Sequence, residues 1–421
     1  MSRSAGRGPV VLAAGLAVGV AAFTVWTAVH QRLVDLQVYR FGGATLRAGG
    51  DLYAGGVPGS GLPFTYPPFA AVVFAPLSAL PWRAAVALLT VTGLVCLLAV
   101  LRMVCGRAVP TVGSWAVPLV ATSMVVFSEP VRETLRLGQV NLVLGALVVG
   151  DVWLARRWWR GGGVGIAAGT KLTPVLTGAY LIAGAGDGTA GGRVRAARGV
   201  VAAVAGFAAT VAVGVLAAPS SSREYWLGGV GLDADRVGGT AYIGNQSLSG
   251  FVIRLAGDPA ALPALRIVVG VLVLVLGLVV AAMFLRAGRR ELPALASVLL
   301  AGWLASPISW THHWVLWPVA AAGVWRAGGR STGRAAVAVG FTAVMLIGPI
   351  WFVPHGSDHE LHRTFAQAVV GEAYVEVGVL ALGVLTGAAL VLNRSRLNRS
   401  GLNRSGLNRW GLNRSGQRVT G

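Results

Sequence analysis

Residues 34–68 read VDLQVYRFGGATLRAGGDLYAGGVPGSGLPFTYPP and directly follow the first strongly apolar segment of the chain. The stretch carries Asp35 and Asp51 in a protein with only 15 acidic residues against 35 lysines and arginines. An ionisable group at the edge of an apolar segment is costly to bury, so it is a candidate for a functional role. We therefore take Asp35 as a candidate general base. The alternative is an interfacial residue, solvated by headgroups or paired with Arg32 or Arg40.

The composition of the whole chain indicates a membrane protein. Of its 421 residues, 55% are hydrophobic and 12% are charged, which is too apolar for a soluble protein of this length. The net charge of +20 comes from arginine, which in membrane proteins marks cytoplasmic loops and anionic headgroups. We therefore exclude a nucleic-acid partner and expect membrane lipids instead. The two cysteines, Cys96 and Cys105, indicate neither a disulfide framework nor a zinc site.

The predicted fold is all-α and polytopic, because apolar runs long enough to cross a bilayer recur along the chain. We expect about twelve transmembrane helices in one multispanning domain, residues 1–392. After Leu392 a five-residue repeat of the type LNRSG is too polar to form a core, which predicts a disordered basic tail over residues 393–421. The candidate spans are residues 9–29, 68–80, 84–104, 109–127, 137–155, 164–183, 200–217, 265–285, 292–305, 313–325, 335–353 and 373–392.

The distribution of arginine predicts which loops share a side of the membrane. We interpret the first apolar segment as an uncleaved span with a cytoplasmic N-terminus, and the arginine clusters at 286–290 and 326–334 as cytoplasmic loops. The run RRWWR at 156–160 does not fit this assignment. Polar loops should then gather on the outer face of the cell membrane. These are the loop of Asp35, residues 220–258, the turn 310–313 and residues 355–362.

Polar and aromatic residues at the ends of the spans are candidate substrate-binding groups. Tyr39 and Tyr66 suit stacking against a sugar, although aromatics at this depth also serve as interface anchors. Gln139 and Asn141 begin an apolar run, where amides either bind hydroxyls or join helices. Further along the chain, Asn245 and Gln246 either bind hydroxyls or cap a helix, and Trp310 is a candidate stacking platform.

Basic side chains provide candidates for binding a phosphate group. Lys171, followed by Pro174, interrupts an apolar run, and a broken helix is tolerated where backbone lines a cavity; the alternative is a lysine that snorkels to the interface. Arg40 is a weaker candidate. His312 and His313 lie between apolar spans, and one of them contacting an anionic phosphate is the best physical interpretation. The spacing of His355, Asp358, His359 and His362 resembles a metal site, but a solvated loop is the default, and we expect neither metal nor cofactor.

Seven stretches, taken in order, resemble the polyprenyl-phosphate-mannose-dependent α-(1,2)-mannosyltransferases of actinobacteria, which belong to the multispanning glycosyltransferase C superfamily. The resemblance covers roughly residues 25–390 and leaves out the repetitive tail. FTYPPF and SPISWTHHW are its more specific parts. The stretches are VDLQVYRFGG, GGDLY, LPFTYPPFAAVVFAPL, GQVNLVL, GTKLTPVL, NQSL and SPISWTHHWVLWP.

The resemblance implies an enzyme that transfers mannose from a polyprenyl-phosphate sugar donor to a mannose hydroxyl of a glycolipid acceptor of the phosphatidylinositol mannoside or lipomannan type. It implies Asp35 as the catalytic base of an inverting displacement and His312 or His313 as a contact of the donor phosphate. Three alternatives stay open: a secondary transporter, a non-enzymatic polyprenyl-lipid-binding protein, and an arabinosyltransferase that uses the same kind of donor. A transporter would predict an internal repeat, and the spans show no convincing one.

Overall fold

The computed structural model describes residues 33–109, 115–154, 159–288, 290–329 and 331–409. Within these ranges every regular element is helical, and a single isolated β-bridge joins Asn245 to Trp310. The all-α prediction is therefore confirmed for this part of the chain. The α-helices are α1 (Val34–Arg47), α2 (Pro68–Ala79), α3 (Trp82–Ala108), α4 (Ala116–Val125), α5 (Glu129–Leu137), α6 (Asn141–Leu154), α7 (Gly162–Thr170), α8 (Ala179–Ala183), α9 (Ala190–Ala217), α10 (Pro219–Leu227), α11 (Leu248–Ala256), α12 (Pro263–Arg286), α13 (Glu291–Ala305), α14 (Trp317–Arg326), α15 (Thr332–Ile347), α16 (Phe365–Gly371) and α17 (Ala373–Arg409).

Short 3₁₀ helices join several of these elements. They are Thr173–Gly178, Gly184–Asp187, Val230–Leu232, Ala234–Val237, Thr311–Leu316, Pro349–Phe352 and His359–Leu361.

Four of the described helices are long and apolar enough to cross a membrane: α3, α9, α12 and the first part of α17. Five further apolar helices, α2, α4, α6, α13 and α15, have 10–17 residues. A span needs about 20 residues to cross the hydrocarbon core, so these shorter helices do not add to the four. The prediction of about twelve spans is not confirmed and stays a prediction. Its first span, residues 9–29, lies outside the described residues.

Several predicted spans are broken in the structure rather than continuous, and two of the breaks lie at candidate phosphate-binding residues. The segment 164–183 divides into α7, the 3₁₀ helix Thr173–Gly178 and α8. Lys171 at the break has φ −149° and ψ 128°, an extended conformation that ends α7. The segment 313–325 likewise begins in a 3₁₀ helix and continues as α14 after Leu316. Both breaks carry residues that the sequence singles out as phosphate-binding candidates.

The core of the protein surrounds α13. Every residue from Leu292 to Leu304 is buried, as expected for a helix that is apolar on all sides and enclosed by neighbours. It packs against α12, α14 and α17, and also against the 3₁₀ helix Thr173–Gly178. By contrast, the long helices α9 and α12 expose aliphatic side chains such as Val201 and Ile267. An exposed apolar surface of this kind is suited to lipid.

The last helix continues past the predicted domain boundary. Instead of ending near Leu392, α17 runs to Arg409, so residues 393–409 are helical in the structure. Residues 410–421 lie outside the described residues. The division into domains 1–392 and 393–421, with a disordered tail, stays a prediction.

Candidate active site

A cavity of about 670 Å³ with many polar lining residues lies where seven separate parts of the chain meet. Asp35 comes from α1, Tyr66 from the segment before α2, and Gln139 from the turn before α6. Lys171 comes from the break after α7, and His312 from the 3₁₀ helix Thr311–Leu316. Residues 225–244 close another side of the cavity. Candidates separated by almost 280 positions are thus brought to one chamber.

Asp35 stands among phenol and amide groups. Tyr39 donates a hydrogen bond to Oε1 of Gln139 over 2.7 Å, and Nε2 of Gln139 donates to the Tyr66 hydroxyl over 3.3 Å. The side chains of Gln139 and Tyr66 also lie beside the Asp35 carboxylate, where their polar groups act to lower its pKa. Tyr39 itself is fully buried and stacks on Phe74 with ring centroids 4.1 Å apart. Tyr39 therefore positions Gln139 and Tyr66 rather than lining the cavity.

A glycine places Gln139 in this cluster. Gly138 ends α5 in the left-handed conformation, with φ 71°, which is favourable for glycine and costly for most other residues. A Cβ added there would lie 2.8 Å from Cβ of Leu36 on α1. Gly138 therefore allows α5 to end and the chain to pass close to α1, which brings Gln139 next to Asp35.

Asp35 has the electrostatic character of a base that works near neutral pH. It lies deep in the protein yet keeps part of its surface open to the cavity. Burial raises the pKa of Asp35 from 3.8 to about 6, although the charge of Lys171 and the hydrogen bonds from Gln139 and Tyr66 act in the opposite direction. A carboxylate with this pKa is ionised at pH 7 and still accepts a proton readily.

Lys171 lies across the same amides from Asp35. Its Nζ donates to Oδ1 of Asn141 over 2.9 Å and to Oε1 of Gln139 over 3.3 Å, and lies 5.8 Å from the ring centroid of Tyr66. Neutral amides hold the ammonium group in place without neutralising its charge. Lys171 is therefore available to an anion in the cavity, and the snorkelling alternative does not describe it.

The two histidines line the cavity with perpendicular rings. Their ring centroids are 4.9 Å apart with an interplanar angle of 89°. The Nε2 atoms of both His312 and His313 are buried without a hydrogen-bond partner. Asn141 and Thr134 fix the backbone beneath them by donating to the carbonyl oxygen of His312 over 2.7 and 3.3 Å. Unpartnered polar atoms of this kind are costly unless a ligand supplies the missing bond.

Five of the predicted site residues do not line the cavity: Tyr39, Arg40, Asn141, Asn245 and Gln246. Arg40 donates to the carbonyl oxygens of Leu77 and Leu80 over 2.5 and 2.7 Å, so it caps the end of α2 rather than facing a phosphate. Asn245 is completely buried and bonds to the backbone of Thr240, Pro307 and Ser309.

Gln246 has a similar structural role. Its Nε2 donates to the carbonyl oxygens of Ile243 and Gly371. Asn245 and Gln246 therefore join the loop before α11 to the turn that carries Trp310, which does line the cavity. Neither amide side chain reaches the cavity.

The cavity also contains charged residues that the sequence analysis did not single out. Arg136 and Glu133 form an ion pair of 2.6 Å on α5, and both line the cavity. Arg236 lines it from the loop opposite and donates to the carbonyl oxygen of Tyr53 over 3.3 Å. Arg136 lies two residues before the stretch GQVN, so its position beside that motif was the available signal. The position of Arg236 depends on loop packing, which no local pattern reveals.

Two buried carboxylates support the walls of the cavity. Glu129 accepts hydrogen bonds from Tyr374, and from Trp351 over 2.8 Å. Glu372 pairs with Arg254 and Arg363, each at 2.5 Å, with all three side chains at most 5% exposed. Glu129 thus joins α5 to α17 and to the 3₁₀ helix Pro349–Phe352, and Glu372 joins α11 to the segment that precedes α17. Among the described residues, no group of three or more His, Cys, Asp or Glu side chains could hold a metal ion.

Long apolar helices therefore surround a cavity that contains a carboxylate, a lysine and two histidines, an arrangement compatible with a membrane-embedded enzyme. The sequence model of glycosyltransferase family 87 matches residues 64–307. Tyr66, Gln139, Asn141 and Lys171 lie inside the matched region, whereas Asp35 and the two histidines lie outside it.

Known relatives extend the match beyond those limits. The polyprenol-phosphate-mannose-dependent alpha-(1-2)-phosphatidylinositol pentamannoside mannosyltransferase of Mycolicibacterium smegmatis is 34% identical over 374 residues, which is 86% of this chain and 87% of the relative. The Mycobacterium tuberculosis protein of the same name is 34% identical over 375 residues, covering 86% and 83%. A phosphatidylinositol mannoside mannosyltransferase of Mycobacterium tuberculosis is 33% identical over 323 residues, covering 72% of each chain. No solved structure gives a significant match.

The chain therefore belongs to glycosyltransferase family 87. The resemblance inferred from the sequence is confirmed, as is the prediction that the protein is an enzyme of the glycosyltransferase class. It is a multi-pass membrane protein.

Proposed function

We propose that this protein transfers mannose from polyprenyl phosphomannose to a mannose hydroxyl of a phosphatidylinositol mannoside or lipomannan type of glycolipid, at the outer face of the cell membrane. The observation that carries the proposal is the single cavity that holds Asp35 together with Lys171, His312 and His313. The names of the relatives support the donor and the acceptor class.

The proposed reaction is one inverting displacement. Asp35 takes the proton of the acceptor hydroxyl, and the hydroxyl oxygen forms a bond to the anomeric carbon of mannose. The bond between that carbon and the phosphate oxygen breaks, and its electron pair stays on the phosphate. Polyprenyl phosphate leaves with one more negative charge than the bound donor carried, and Lys171 with the N–H groups of the histidines stabilises that charge.

The arrangement of the cavity supports separate positions for base and leaving group. Gln139 lies between them, with its amide nitrogen toward Tyr66 and Asp35 and its oxygen toward Lys171. A sugar held at this amide would have the base on one side and the cations on the other. An inverting displacement requires this order, because the nucleophile enters opposite the departing phosphate.

The proposal is tested by reconstituting the purified protein with radiolabelled polyprenyl phosphomannose and a short mannoside acceptor. We expect transfer, with an anomeric configuration in the product opposite to that of the donor. Polyprenyl phosphoarabinose is offered in parallel, because the arabinosyltransferase alternative predicts the opposite donor preference. Uptake of a solute without transfer would support the transporter alternative instead.

The Asp35→Asn variant tests, in the same assay, whether Asp35 is the general base. General-base catalysis contributes about 10²–10⁴ in rate, so turnover should fall by that order while donor binding is retained. Asp51→Asn is the matched control, since Asp51 lies in the neighbouring loop and accepts bonds from the Tyr53 amide and the Ser221 hydroxyl without lining the cavity. An Asp35→Asn protein that folds, binds donor and transfers mannose at the parent rate would remove Asp35 from the mechanism.

A further inference from the structure

Asn141 connects two candidate phosphate-binding elements without entering the cavity. It is the first residue of α6, it is buried, and it does not line the cavity. Its amide nitrogen donates to the carbonyl oxygen of His312 over 2.7 Å, and its amide oxygen accepts from Nζ of Lys171 over 2.9 Å. The reverse orientation would place two acceptors together and two donors together. These two contacts therefore fix the orientation of the amide.

Of the two amides that bind Lys171, Asn141 makes the shorter hydrogen bond. The other bond of the ammonium group, to Oε1 of Gln139, is 3.3 Å long, and the same oxygen accepts a 2.7 Å bond from Tyr39. A lysine ammonium has three N–H donors. With two of them bound to amides, one is left for an anion in the cavity that Lys171 lines. Asn141 is thus the main anchor of the ammonium group.

Asp35 is the natural competitor for this ammonium group. The charge of Lys171 acts on the carboxylate and lowers its pKa, so the two groups attract each other. Both residues are described in the structure, yet they do not form a direct ion pair. Asn141 lies on the histidine side of Lys171, because it binds the backbone of His312, whereas Asp35 lies beside Gln139. A lysine side chain is flexible enough to turn from one side to the other.

We propose that Asn141 is a positioning residue that keeps Lys171 from pairing with Asp35. This inference rests on the proposed function, which assigns the ammonium group to the donor phosphate and the carboxylate to the acceptor hydroxyl. Without the Asn141 amide, the ammonium group turns to Asp35. One direct ion pair then removes the free cation and weakens the base. Asn141 has this role without contacting either substrate.

The Asn141→Leu variant tests the inference, because leucine has nearly the same size and forms neither hydrogen bond. The readout is the pH profile of kcat/KM with polyprenyl phosphomannose. A direct ion pair stabilises the ionised carboxylate, so the acid limb due to Asp35 should move about one pH unit below that of the parent. The plateau should fall at least about tenfold, because the donor phosphate loses its cation. The titratable groups that face Asp35 are Lys171, Arg136, Tyr39 and Tyr66.

Two controls separate this role from a general effect on packing. In a Lys171→Met background, Asn141→Leu should leave the acid limb where Lys171→Met alone puts it, because no ammonium group remains to turn. Thr134→Val is the matched single variant. It removes the other side-chain bond to the carbonyl oxygen of His312, which is 3.3 Å long, and leaves both amide partners of Lys171 in place. Its acid limb should stay at the pH of the parent.

Two results would overturn the inference. One is an Asn141→Leu protein that melts like the parent and keeps the acid limb of the parent. The other is a shift of the same size in the presence and absence of Lys171. If Asn141→Leu melts at a lower temperature than the parent, Asn141→Ala takes its place in the same comparison, since the smaller side chain adds no bulk.

A second measurement does not depend on catalysis. Dicyclohexylcarbodiimide reacts with protonated carboxyl groups, so the pH dependence of labelling on the peptide that contains Asp35 reports the protonation of this residue. Labelling should be half-maximal near pH 6 in the parent, as the raised pKa of Asp35 requires, and about one pH unit lower in Asn141→Leu. Equal midpoints would contradict the inference. If the parent transfers no mannose, the proposed function fails, and the labelling midpoints still decide whether Asn141 holds Lys171 away from Asp35.

Discussion

Asp35 and Lys171 bind opposite ends of one amide, and this shared neighbour explains how both charges persist inside a largely apolar protein. The amide nitrogen of Gln139 donates to the Tyr66 hydroxyl, on the side of the cavity where Asp35 lies, and its amide oxygen accepts from Lys171. Each of the two charged groups has polar neighbours. Asp35 and Lys171, both described in the structure, do not form a direct ion pair within 4 Å of each other. Ions held in this way stay available to substrate groups.

The raised pKa of Asp35 predicts an acid limb in the pH profile. The ionised carboxylate is the active form of a general base, so kcat/KM should reach a plateau above pH 6 and fall about tenfold for each pH unit below it. Because burial raises the pKa from 3.8 to about 6, the limb lies well above the pH at which an exposed aspartate would titrate. The measurement is kcat/KM from pH 4.5 to 8. A rate that stays level down to pH 5 would contradict the assignment.

Residue identities along the chain identified most of the polar chamber in advance. Asp35, Lys171 and the two histidines were singled out because charged or tandem polar residues at membrane depth are costly without a purpose. Arg40 lies five positions after Asp35 on α1, but its guanidinium binds the carbonyl end of α2 and does not line the cavity. Local sequence does not show which of two neighbouring helices a long side chain will reach.

At the scale of elements, two breaks between helices, rather than the helices themselves, bring candidate site residues to the cavity. Pro174 and the extended Lys171 end α7 in the interior, and the 3₁₀ helix Thr311–Leu316 turns the histidines toward the same cavity. The break at Lys171 was predictable because proline cannot continue a helix. The roles of Asn245 and Gln246 were not predictable. In the sequence, an amide residue that binds a substrate cannot be distinguished from one that joins two loops.

The buried group of Arg254, Arg363 and Glu372 predicts a large effect on stability. Glu372→Ala leaves two arginines buried without their carboxylate, and removing one partner of a buried ion pair costs about 3–5 kcal/mol. We expect a clearly lower melting temperature in the purified protein. Arg47→Ala is the control, because Arg47 is exposed at the end of α1 and such substitutions change stability by about 0.5 kcal/mol or less. Equal melting of the two variants would show that the buried group contributes little.

For the whole molecule, polar loops from distant parts of the chain gather around one cavity, whereas the shared outer face that the arginine distribution predicts for them stays a prediction. The segments around Asp35, 225–244 and 306–313 all line the chamber. The loop 355–362 packs against it, with Glu360 accepting a bond from the amide of Ile243. The number of spans was less predictable, because hydropathy does not distinguish a short buried helix such as α13 from a helix that crosses the bilayer.

Labelling of single cysteines tests which side of the membrane the cavity faces. In a background without Cys96 and Cys105, we expect Ser60→Cys and His359→Cys to react with an impermeant thiol reagent in intact cells. Both residues are exposed and lie in loops beside the cavity.

Arg193→Cys is the matched control for this experiment. It lies at the far end of α9, a 28-residue candidate span, and should react only after the membrane is made permeable. Labelling of Ser60→Cys and His359→Cys from opposite sides would rule out a shared outer face.

The pairing of Arg254 with Glu372 also sets an order for biosynthesis. The two residues are 118 positions apart, so the ribosome adds Arg254 long before its carboxylate partner exists. During that interval α11 lacks its ion pair with the junction between α16 and α17. The full set of bonds to the Arg254 guanidinium can therefore form only after synthesis has passed residue 372, whereas its bonds to the carbonyl oxygens of Tyr242 and Asn245 can form earlier.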